Sequence, residues 1–536
     1  MTIISDDSRT NATGISKAEW LAVGLIVIGA LLLRLLYVNQ PMRNDESYSF
    51  LYFVLPSLRT AVSDYSVPNN HILHTVLVWI STRLFGASPQ AIRLPAIVSG
   101  VLLVPTIWIA CRALAGRTAA LFAVAAAAAL PALILYSTNS RGYMLICLAT
   151  MLLVLIGDRL LDQESPALWL AMIVIGALGM WVAPVMLYPL GAVSLWLLAE
   201  HARSGGVRSA VRFAPRIGTV AAAVLALTLA LYFPVIRHDG VGALTQNRFV
   251  KAESWPEMAS QVGVLAHELR ELLALGLSRP GLMLAALVAV IGIVAPGPKR
   301  DRRAVLVLAV ICWTVTLILI TRRPPPPRVL LFLAPLWCVY FGAGVSWILA
   351  SLGAIRLPVH AVAATALCAL AGVQVVRSRA VLISEETDWI GLRDARAIAA
   401  LVASSADDRV IVNRSTSPPL DYYLFYLTGH RLADFASAQR KGRVLLVLDD
   451  RHGQTLQRVI PKHREVSWAD LGPPALLEQF AGASVYAFSP NGAGTSGSPA
   501  HGDELRPTAA PRLTLTIPPV RPRPSGLQPT SPRTGR

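Results

Sequence analysis

The chain has 536 residues, of which 54% are hydrophobic and only 15% are charged, and its mean hydropathy is +0.54. Soluble globular proteins carry about 25% charged residues, so this composition argues against a soluble enzyme or binding module. The net charge of +17 would suit a nucleic-acid partner. However, much of the Arg and Lys lies in short loops between apolar runs, as in cytoplasmic loops of membrane proteins. We therefore expect no nucleic-acid partner.

Apolar runs long enough to cross a bilayer, or nearly so, recur from residue 18 to residue 376. A membrane-spanning helix needs roughly 20 apolar residues. We therefore predict a polytopic α-helical membrane protein with about eleven transmembrane helices. The predicted spans are 18–38, 93–111, 118–136, 142–157, 167–182, 184–199, 217–235, 281–296, 304–320, 329–350 and 359–376.

The segment 71–85, HILHTVLVWISTRLF, is too short to span the bilayer and alternates apolar and polar residues at helical spacing. This pattern predicts an amphipathic helix in the membrane interface. With eleven spans, the basic loops 112–117, 200–216 and 296–303 all fall on one side, which the positive-inside rule makes cytoplasmic. The N-terminus is then inside, and residues 39–92 and everything after 377 are outside.

Residues 377–490 have a different pattern, which predicts a small extracytoplasmic α/β domain. Strands are predicted over 408–413, 442–450 and 484–489, and helices over 388–405 and 418–429. From about residue 490 the chain is rich in Pro, Ser, Gly, Thr and Arg, which predicts disorder over 491–536. Residues 1–376 form the predicted transmembrane catalytic domain, with 39–92 as its first outer loop carrying interfacial helices.

Polar residues from distant parts of the chain converge on the predicted outer face. Asp45 and Glu46 follow the first span, and the outer segments continue with NNH at 69–71, IRLPA at 92–96 and SRGYML at 140–145. An acid at such a position can act as general base for a hydroxyl or amine. The alternative interpretation is that these acids are solvated residues at the end of a loop.

Arginines on the same face are candidate ligands of a donor phosphate, because a guanidinium group binds phosphate through two parallel hydrogen bonds. These candidates are Arg93, Arg141, Arg322, Arg323 and Arg328. The alternatives are a snorkelling anchor for Arg93 and solvated charges beside the proline run 324–327 for the last three. Outer arginines nevertheless run against the positive-inside bias, which favours an anion site.

The order of these motifs resembles the bacterial GT-C membrane glycosyltransferases of family 39, the PMT type, which is related to protein O-mannosyltransferases and aminoarabinose transferases. The resemblance covers about residues 18–350 and is strongest over 40–145. It implies a glycosyltransferase that uses a polyprenyl-phosphate-linked sugar on the outer face of the bacterial plasma membrane, with inversion. The acceptor would be a lipid, a glycan or a protein.

The resemblance also implies site residues. It makes Asp45 the catalytic acid–base residue and Glu46 its acidic neighbour, with Asn70, His71 and Tyr143 lining the same cavity. Some relatives bind a divalent metal here, for which Glu46 and His71 are candidate ligands; no metal-binding spacing such as HExxH is present. For His71 and His74 the alternatives are snorkelling or helix capping, with Asn70 as the helix N-cap.

Two rival functions stay open. A lipid-linked sugar transporter or flippase would need charged residues near the middle of its spans, where this sequence has almost none. A catalytically inactive membrane scaffold would have the outer domain as its functional part. Loss of activity in a folded Asp45→Asn variant would separate the enzyme from the scaffold.

Overall fold

The structure is a computed structural model that describes residues 15–245, 252–274, 278–353, 357–383, 392–405, 407–413 and 417–491. Apart from Asn491, the tail predicted to be disordered lies outside the described residues. The predicted helix 388–405 is described only from residue 392 onward, without residues 384–391.

The membrane region is built almost entirely of helices. A π-helical segment, Phe50–Val54, continues the second helix, and short 3₁₀ helices lie at Pro184–Met186 and Pro327–Phe332. The α-helices are α1 (Lys17–Tyr37), α2 (Asn44–Ser49), α3 (Leu58–Ser63), α4 (Ile72–Phe85), α5 (Pro89–Ala115), α6 (Arg117–Ala129), α7 (Pro131–Ser137), α8 (Tyr143–Asp162), α9 (Pro166–Val182), α10 (Leu187–Asp239), α11 (Gly242–Thr245), α12 (Trp255–Ala274), α13 (Arg279–Val294), α14 (Arg300–Thr321), α15 (Leu333–Ser351) and α16 (Leu357–Ser378).

The predicted polytopic architecture is confirmed. Within the described ranges, seven helices are long and apolar enough to cross a membrane, or eight if a bent pair counts as one span. Helix α10 changes direction at Gly206, whose φ of 72° is non-helical, so it supplies two of the predicted spans. The apolar helices α9 and α13 are shorter. Each of the eleven predicted spans therefore coincides with a helical segment.

One predicted span, 118–136, is broken. Helices α6 and α7 meet at an angle of 56°, and Pro131 begins α7. Proline has no N–H to continue the helical hydrogen bonds, which explains the break. The buried Arg34 of α1 lies against this break. Its Nη1 donates to the carbonyl oxygens of Ala30 at 2.9 Å and Ala128 at 3.3 Å, and its Nε donates to Ser137 Oγ at 3.0 Å.

The predicted basic loops meet at one end of the bundle, which we call the basic end. Arg117 lies 2.8 Å from the buried Glu19, and Lys299 lies 2.7 Å from Asp158. Arg303 Nη1 donates to the carbonyl of Leu114 at 3.2 Å. Ion pairs and hydrogen bonds thus join the ends of α1, α5, α6, α8 and α14. The opposite end, which carries residues 39–92, we call the Asp45 end.

Helix α4 confirms the helix predicted over 71–85. Its polar residues His74, Thr75 and Ser81 are buried against the bundle, whereas Leu84 and Phe85 are exposed by 70% and 64%. The C-terminal apolar residues of α4 therefore face outward, whereas Ile72 and Val78 are buried with the polar residues. The alternative in which Asn70 caps this helix does not hold, because His71 is the N-cap residue.

The C-terminal region is a small α/β domain, as predicted. Its strands are β1 (Arg409–Val412), β2 (Val444–Asp449), β3 (Ala475–Gln479) and β4 (Ala483–Phe488), in the order β1-β2-β4-β3. Strand β1 is parallel to β2, and the other pairs are antiparallel. The three predicted strands are confirmed, whereas β3 was not predicted. The helices are α17 (Ala380–Ile383), α18 (Ala395–Ala403), α19 (Ser417–Thr428), α20 (Leu432–Phe435) and α21 (Leu456–Val459).

Candidate active site

The two adjacent carboxylates lie in the first turn of α2. Successive residues on a helix point about 100° apart, and this separates the two side chains. Glu46 is fully buried, whereas the Asp45 side chain is 29% exposed. Helix α2 therefore presents one acid to the interior and the other to the surface of the Asp45 end.

Glu46 is enclosed by hydrogen-bond donors. Arg93 Nε donates to Glu46 Oε2 at 3.0 Å, and Arg93 Nη2 makes a second short contact with Oε1. The backbone N–H groups of Arg43 and Ser140 donate to the same carboxylate at 2.8 and 3.0 Å. Arg93 also donates to the carbonyl oxygens of Val38 and Gln40. Glu46 and Arg93 thus bind α2, α5 and the loop after α7 into one unit.

Asp45 makes a different ion pair, nearer the surface. Its Oδ2 lies 2.7 Å from Nη1 of Arg141, whose side chain is only 5% exposed. The Asn69 side-chain amide donates to the Asp45 carbonyl oxygen at 3.0 Å, and its Oδ1 accepts from Arg141. The Arg141 guanidinium also lies 5.7 Å from the centre of the Tyr143 ring. Asp45 and Arg141 therefore form a partly exposed, oppositely charged pair.

His71 contacts Gly142 and Tyr143 of the SRGY motif. Its Nδ1 accepts from the Gly142 N–H at 2.8 Å, and its ring meets Tyr143 edge-on at 4.9 Å. A Cβ at Gly142 would lie 2.7 Å from this Nδ1, which explains the glycine of the SRGY motif. Burial lowers the pKa of His71 well below its usual value, and the charges of Arg141, His74 and Arg328 add to the effect. His71 is therefore neutral.

The remaining candidate arginines have different surroundings. Arg328, in the 3₁₀ helix before α15, lies close enough for its charge to lower the pKa of His71. Arg323 lies 3.7 Å from Glu253. Arg322 is exposed, and its carbonyl accepts from the Glu253 N–H at 3.1 Å. Arg141 and Arg328 are thus the candidates at the Asp45 site, whereas Arg322 and Arg323 contact the segment before α12.

Comparisons with known proteins give one family match and matches to solved membrane-protein structures. Residues 68–233 match the family model described as dolichyl-phosphate-mannose-protein mannosyltransferase. The crystal structure of ArnT from Cupriavidus metallidurans bound to undecaprenyl phosphate superposes with a TM-score of 0.56 at 13% identity, covering 88% of this chain and 98% of that one. Its apo state gives a TM-score of 0.54 at 15% identity, covering 87% and 97%. No curated protein sequence gives a significant match.

This chain has the fold of the ArnT structures, and its residues 68–233 are similar to the mannosyltransferase family. The family match begins at residue 68, so it includes the segment with Asn69 and His71, α5 with Arg93, and the SRGY motif. The fold match extends over 88% of the chain. The predicted fold and the predicted resemblance to this family are therefore confirmed.

The two candidate metal ligands, Glu46 and His71, already make hydrogen bonds to protein groups. Both oxygens of Glu46 accept from Arg93 and from backbone N–H groups. His71 uses Nδ1 to accept from Gly142, so in its neutral form the proton resides on Nε2. Neither residue offers a free lone pair directed as metal coordination requires. The donor set at Glu46 and His71 therefore does not fit a divalent metal.

Asn69 was not among the predicted site residues, whereas its neighbour Asn70 was. Asn70 is buried and braces the loop: its side-chain amide donates to the carbonyls of Ala61 and Asp64, and its Oδ1 accepts from Thr75. Asn69 is the one that touches both Asp45 and Arg141. The NNH motif had marked the right segment, but it did not show which asparagine faces the site.

Proposed function

We propose that the chain transfers a sugar from a polyprenyl-phosphate-linked donor to an acceptor hydroxyl or amine, with inversion at the anomeric carbon. The observation that supports this proposal is the ion pair between Asp45 and Arg141 at 2.7 Å. It places a partly exposed carboxylate beside a largely buried guanidinium group. A base for the acceptor and a binding group for the donor phosphate are therefore adjacent.

The proposed reaction is a single displacement. The acceptor oxygen or nitrogen attacks the anomeric carbon, and the bond from that carbon to the phosphate oxygen breaks. The polyprenyl phosphate leaves with the bonding electrons, and Asp45 takes the acceptor proton. Attack opposite the leaving group inverts the configuration. A phosphate is already a stable leaving group, so it requires charge stabilisation more than protonation.

Arg141 and Arg328 are the residues proposed to stabilise the phosphate. Arg141 is held by Asp45 and Asn69, which fixes its guanidinium before the donor arrives. Arg328 adds positive charge close enough to lower the pKa of His71. Because His71 is neutral, it adds no charge of its own to this group of arginines. Arg93 is committed to Glu46 and to backbone carbonyls, so its role is to position α2.

The orientation in the membrane is also part of the proposal. The basic end carries the loops 112–117 and 296–303, which the positive-inside rule places in the cytoplasm. The Asp45 end and the C-terminal α/β domain then lie outside, in the bacterial plasma membrane. The donor would enter from the outer leaflet, and the acceptor would be a lipid, glycan or protein of the cell envelope.

The distribution of buried charge favours an enzyme over a transporter. In the described spans, each fully or nearly fully buried charged residue lies within two turns of a helix end or of the Gly206 kink. These residues are Glu19, Arg34, Arg93, Asp158, Glu200 and Arg303. A transporter site is expected near the middle of the bilayer instead.

The test is transfer by purified full-length protein from a panel of polyprenyl-phosphate sugars, with mass spectrometry of lipid and glycan products. We expect one donor to be consumed and its polyprenyl phosphate released. An Asp45→Asn variant should bind that donor without consuming it. Absence of transfer from every donor by the wild type, together with flipping of one of them across vesicles, would establish the transporter instead. Equal transfer by wild type and Asp45→Asn would remove Asp45 from the mechanism.

A further inference from the structure

We propose that the C-terminal α/β domain forms part of the active site by holding helix α2 in place, with Tyr423 and Arg431 as positioning residues. This inference rests on the proposed function insofar as Asp45 is the residue being positioned. Neither residue is proposed to touch the donor or the acceptor. Their effect would pass through the backbone and the aromatic side chains of residues 42–52.

The first contact lies at the start of α2. The hydroxyl of Tyr423, in α19, accepts from the Met42 N–H at 3.2 Å. Met42 directly precedes Arg43, the N-cap residue of α2. Burial raises the pKa of Tyr423, so the hydroxyl stays protonated in the physiological range. The neighbouring Tyr422 donates its hydroxyl to the Ala87 carbonyl at 2.8 Å, which anchors α19 to the loop between α4 and α5.

The second contact lies at the far end of the same segment. Arg431 is held by Asp421 through two hydrogen bonds of 2.8 and 2.6 Å. Its guanidinium lies 5.2 Å from the centre of the Tyr52 ring, and Tyr52 stacks on Tyr48 at 4.5 Å. Tyr48 follows Asp45 by three residues on α2, which places the two on one side of that helix. Arg431, Tyr52 and Tyr48 are thus stacked in a row that extends from the C-terminal domain towards Asp45.

A shared apolar core joins the two anchors. Phe50, in the π-helical segment, meets the ring of Tyr422 edge-on at 5.6 Å and lies 6.1 Å from Phe425. The core cluster that contains Phe50, Leu51 and Val54 continues into α18, α19 and the sheet of the C-terminal domain. The domain is therefore packed against the catalytic segment as one body and not connected to it by a linker alone.

Helix α2 needs such support because it is very short. It has six residues, and helices shorter than about 12–15 residues are marginal on their own. Its orientation must come from tertiary contacts: Glu46 and Arg93 on the membrane side, and Tyr423 and Arg431 on the domain side. A displacement of about 1 Å at a catalytic group can reduce turnover by about 10²-fold. Loosening either domain contact should therefore reduce turnover.

The experiment compares the full-length variants Tyr423→Phe and Arg431→Gln with the matched control Tyr426→Phe. Tyr426 lies on the same helix and stacks on Tyr422 at 6.0 Å. We expect kcat, per folded protein, to fall about threefold to tenfold in the first two variants, the range of one lost hydrogen bond. The KM for the donor should stay within about twofold, and the control should match the wild type.

Hydrogen–deuterium exchange supplies a measurement that does not depend on turnover. We expect the amides of residues 42–52 to exchange faster in Tyr423→Phe and Arg431→Gln than in Tyr426→Phe. If both variants show normal kcat and normal exchange, or only a lower melting temperature with normal kcat, the positioning role is wrong. If the wild type transfers no sugar, the proposed function fails, while exchange over residues 42–52 still decides whether the domain holds α2.

Discussion

Asp45 and Glu46, the adjacent carboxylates of α2, should have different effects on activity and stability when each is neutralised. Asp45→Asn is expected to abolish transfer and leave the protein stable, whereas Glu46→Gln is expected to destabilise it. Both changes remove one negative charge and keep the shape of the side chain. The difference comes from burial: Asp45 is 29% exposed, whereas Glu46 and its partner Arg93 are fully buried.

The loss of stability in Glu46→Gln follows from the hydrogen-bond partners of Glu46. Gln keeps one acceptor oxygen but presents an N–H₂ group where a carboxylate oxygen had accepted from Arg93 and a backbone N–H. The charge of Arg93 is then buried without its counter-ion. Removing one partner of a buried ion pair costs about 3–5 kcal/mol. The carbonyls of Val38 and Gln40 still accept from Arg93, so we expect about 3 kcal/mol.

Asp45→Asn should reduce the rate of turnover. Removing a general base costs about 10²–10⁴-fold in rate. Stability should change by less than about 1 kcal/mol, because a partly exposed ion pair contributes little. Donor affinity should stay the same or rise, since Asp45 no longer competes with the phosphate for the guanidinium of Arg141.

The assays are thermal unfolding in detergent, donor binding and single-turnover transfer, each with the wild type and both variants. Full activity in Asp45→Asn would contradict its role as base. Unchanged thermal stability in Glu46→Gln would contradict the structural role of the buried pair. If Glu46→Gln is stable but inactive, the two acids have been given the wrong roles, and Glu46 is the catalytic group.

Four further results are expected. Arg141→Ala should weaken donor binding by about 10–100-fold, the range of a charge-assisted hydrogen bond. The control Arg322→Ala, at an exposed residue, should change donor affinity by no more than about twofold. Equal donor affinities in the two variants would contradict the phosphate site. Burial and the charge of Arg141 lower the pKa of His74 to about 3, so below about pH 6.5 only the unfolded chain takes up this proton. Stability should then fall by up to about 1.4 kcal/mol per pH unit, and His74→Leu should reduce that slope; an identical slope in both proteins would refute it. Arg34→Leu leaves the carbonyl of Ala128 without its donor and should lower the melting temperature, whereas a wild-type value would show that the α6–α7 break needs no such support. A cysteine at Asp450 should react with an impermeant thiol reagent in intact cells, and reaction only after permeabilisation would reverse the proposed orientation.

The membrane fold was predictable because its signal is long and repetitive. Each span is a run of apolar residues, and the alternation of basic loops assigns their sides. The break at Pro131 carried a signal that the reasoning did not use, since proline inside an apolar run disrupts the helix. Strand β3 had no comparable signal. It is exposed along most of its length, so it lacks the alternation that marks a half-buried strand.

The candidate site was predictable as a set of segments but not residue by residue. The order of Asp45–Glu46, NNH, IRLP and SRGY identified the segments that meet. Roles within each segment depend on which way a side chain points, and a helix of six residues is too short to show its phase in the sequence. For the same reason, Asn69 could not be separated from Asn70, nor could Arg93 be recognised as the partner of Glu46.

The pairing of a buried and an exposed acid explains why both occur together on α2. If Glu46 is fixed by Arg93 and by the N–H of Ser140, the rotation of α2 about its axis is fixed as well. Asp45, about 100° further around the helix, must then face Arg141, which follows Ser140 directly in the chain. One loop therefore holds the helix through Ser140 and pairs with Asp45, the proposed base, through Arg141. The Glu46–Arg93 ion pair therefore sets the orientation of Asp45. Mutations at Arg93 should reduce turnover, although Arg93 is not proposed to contact the substrate.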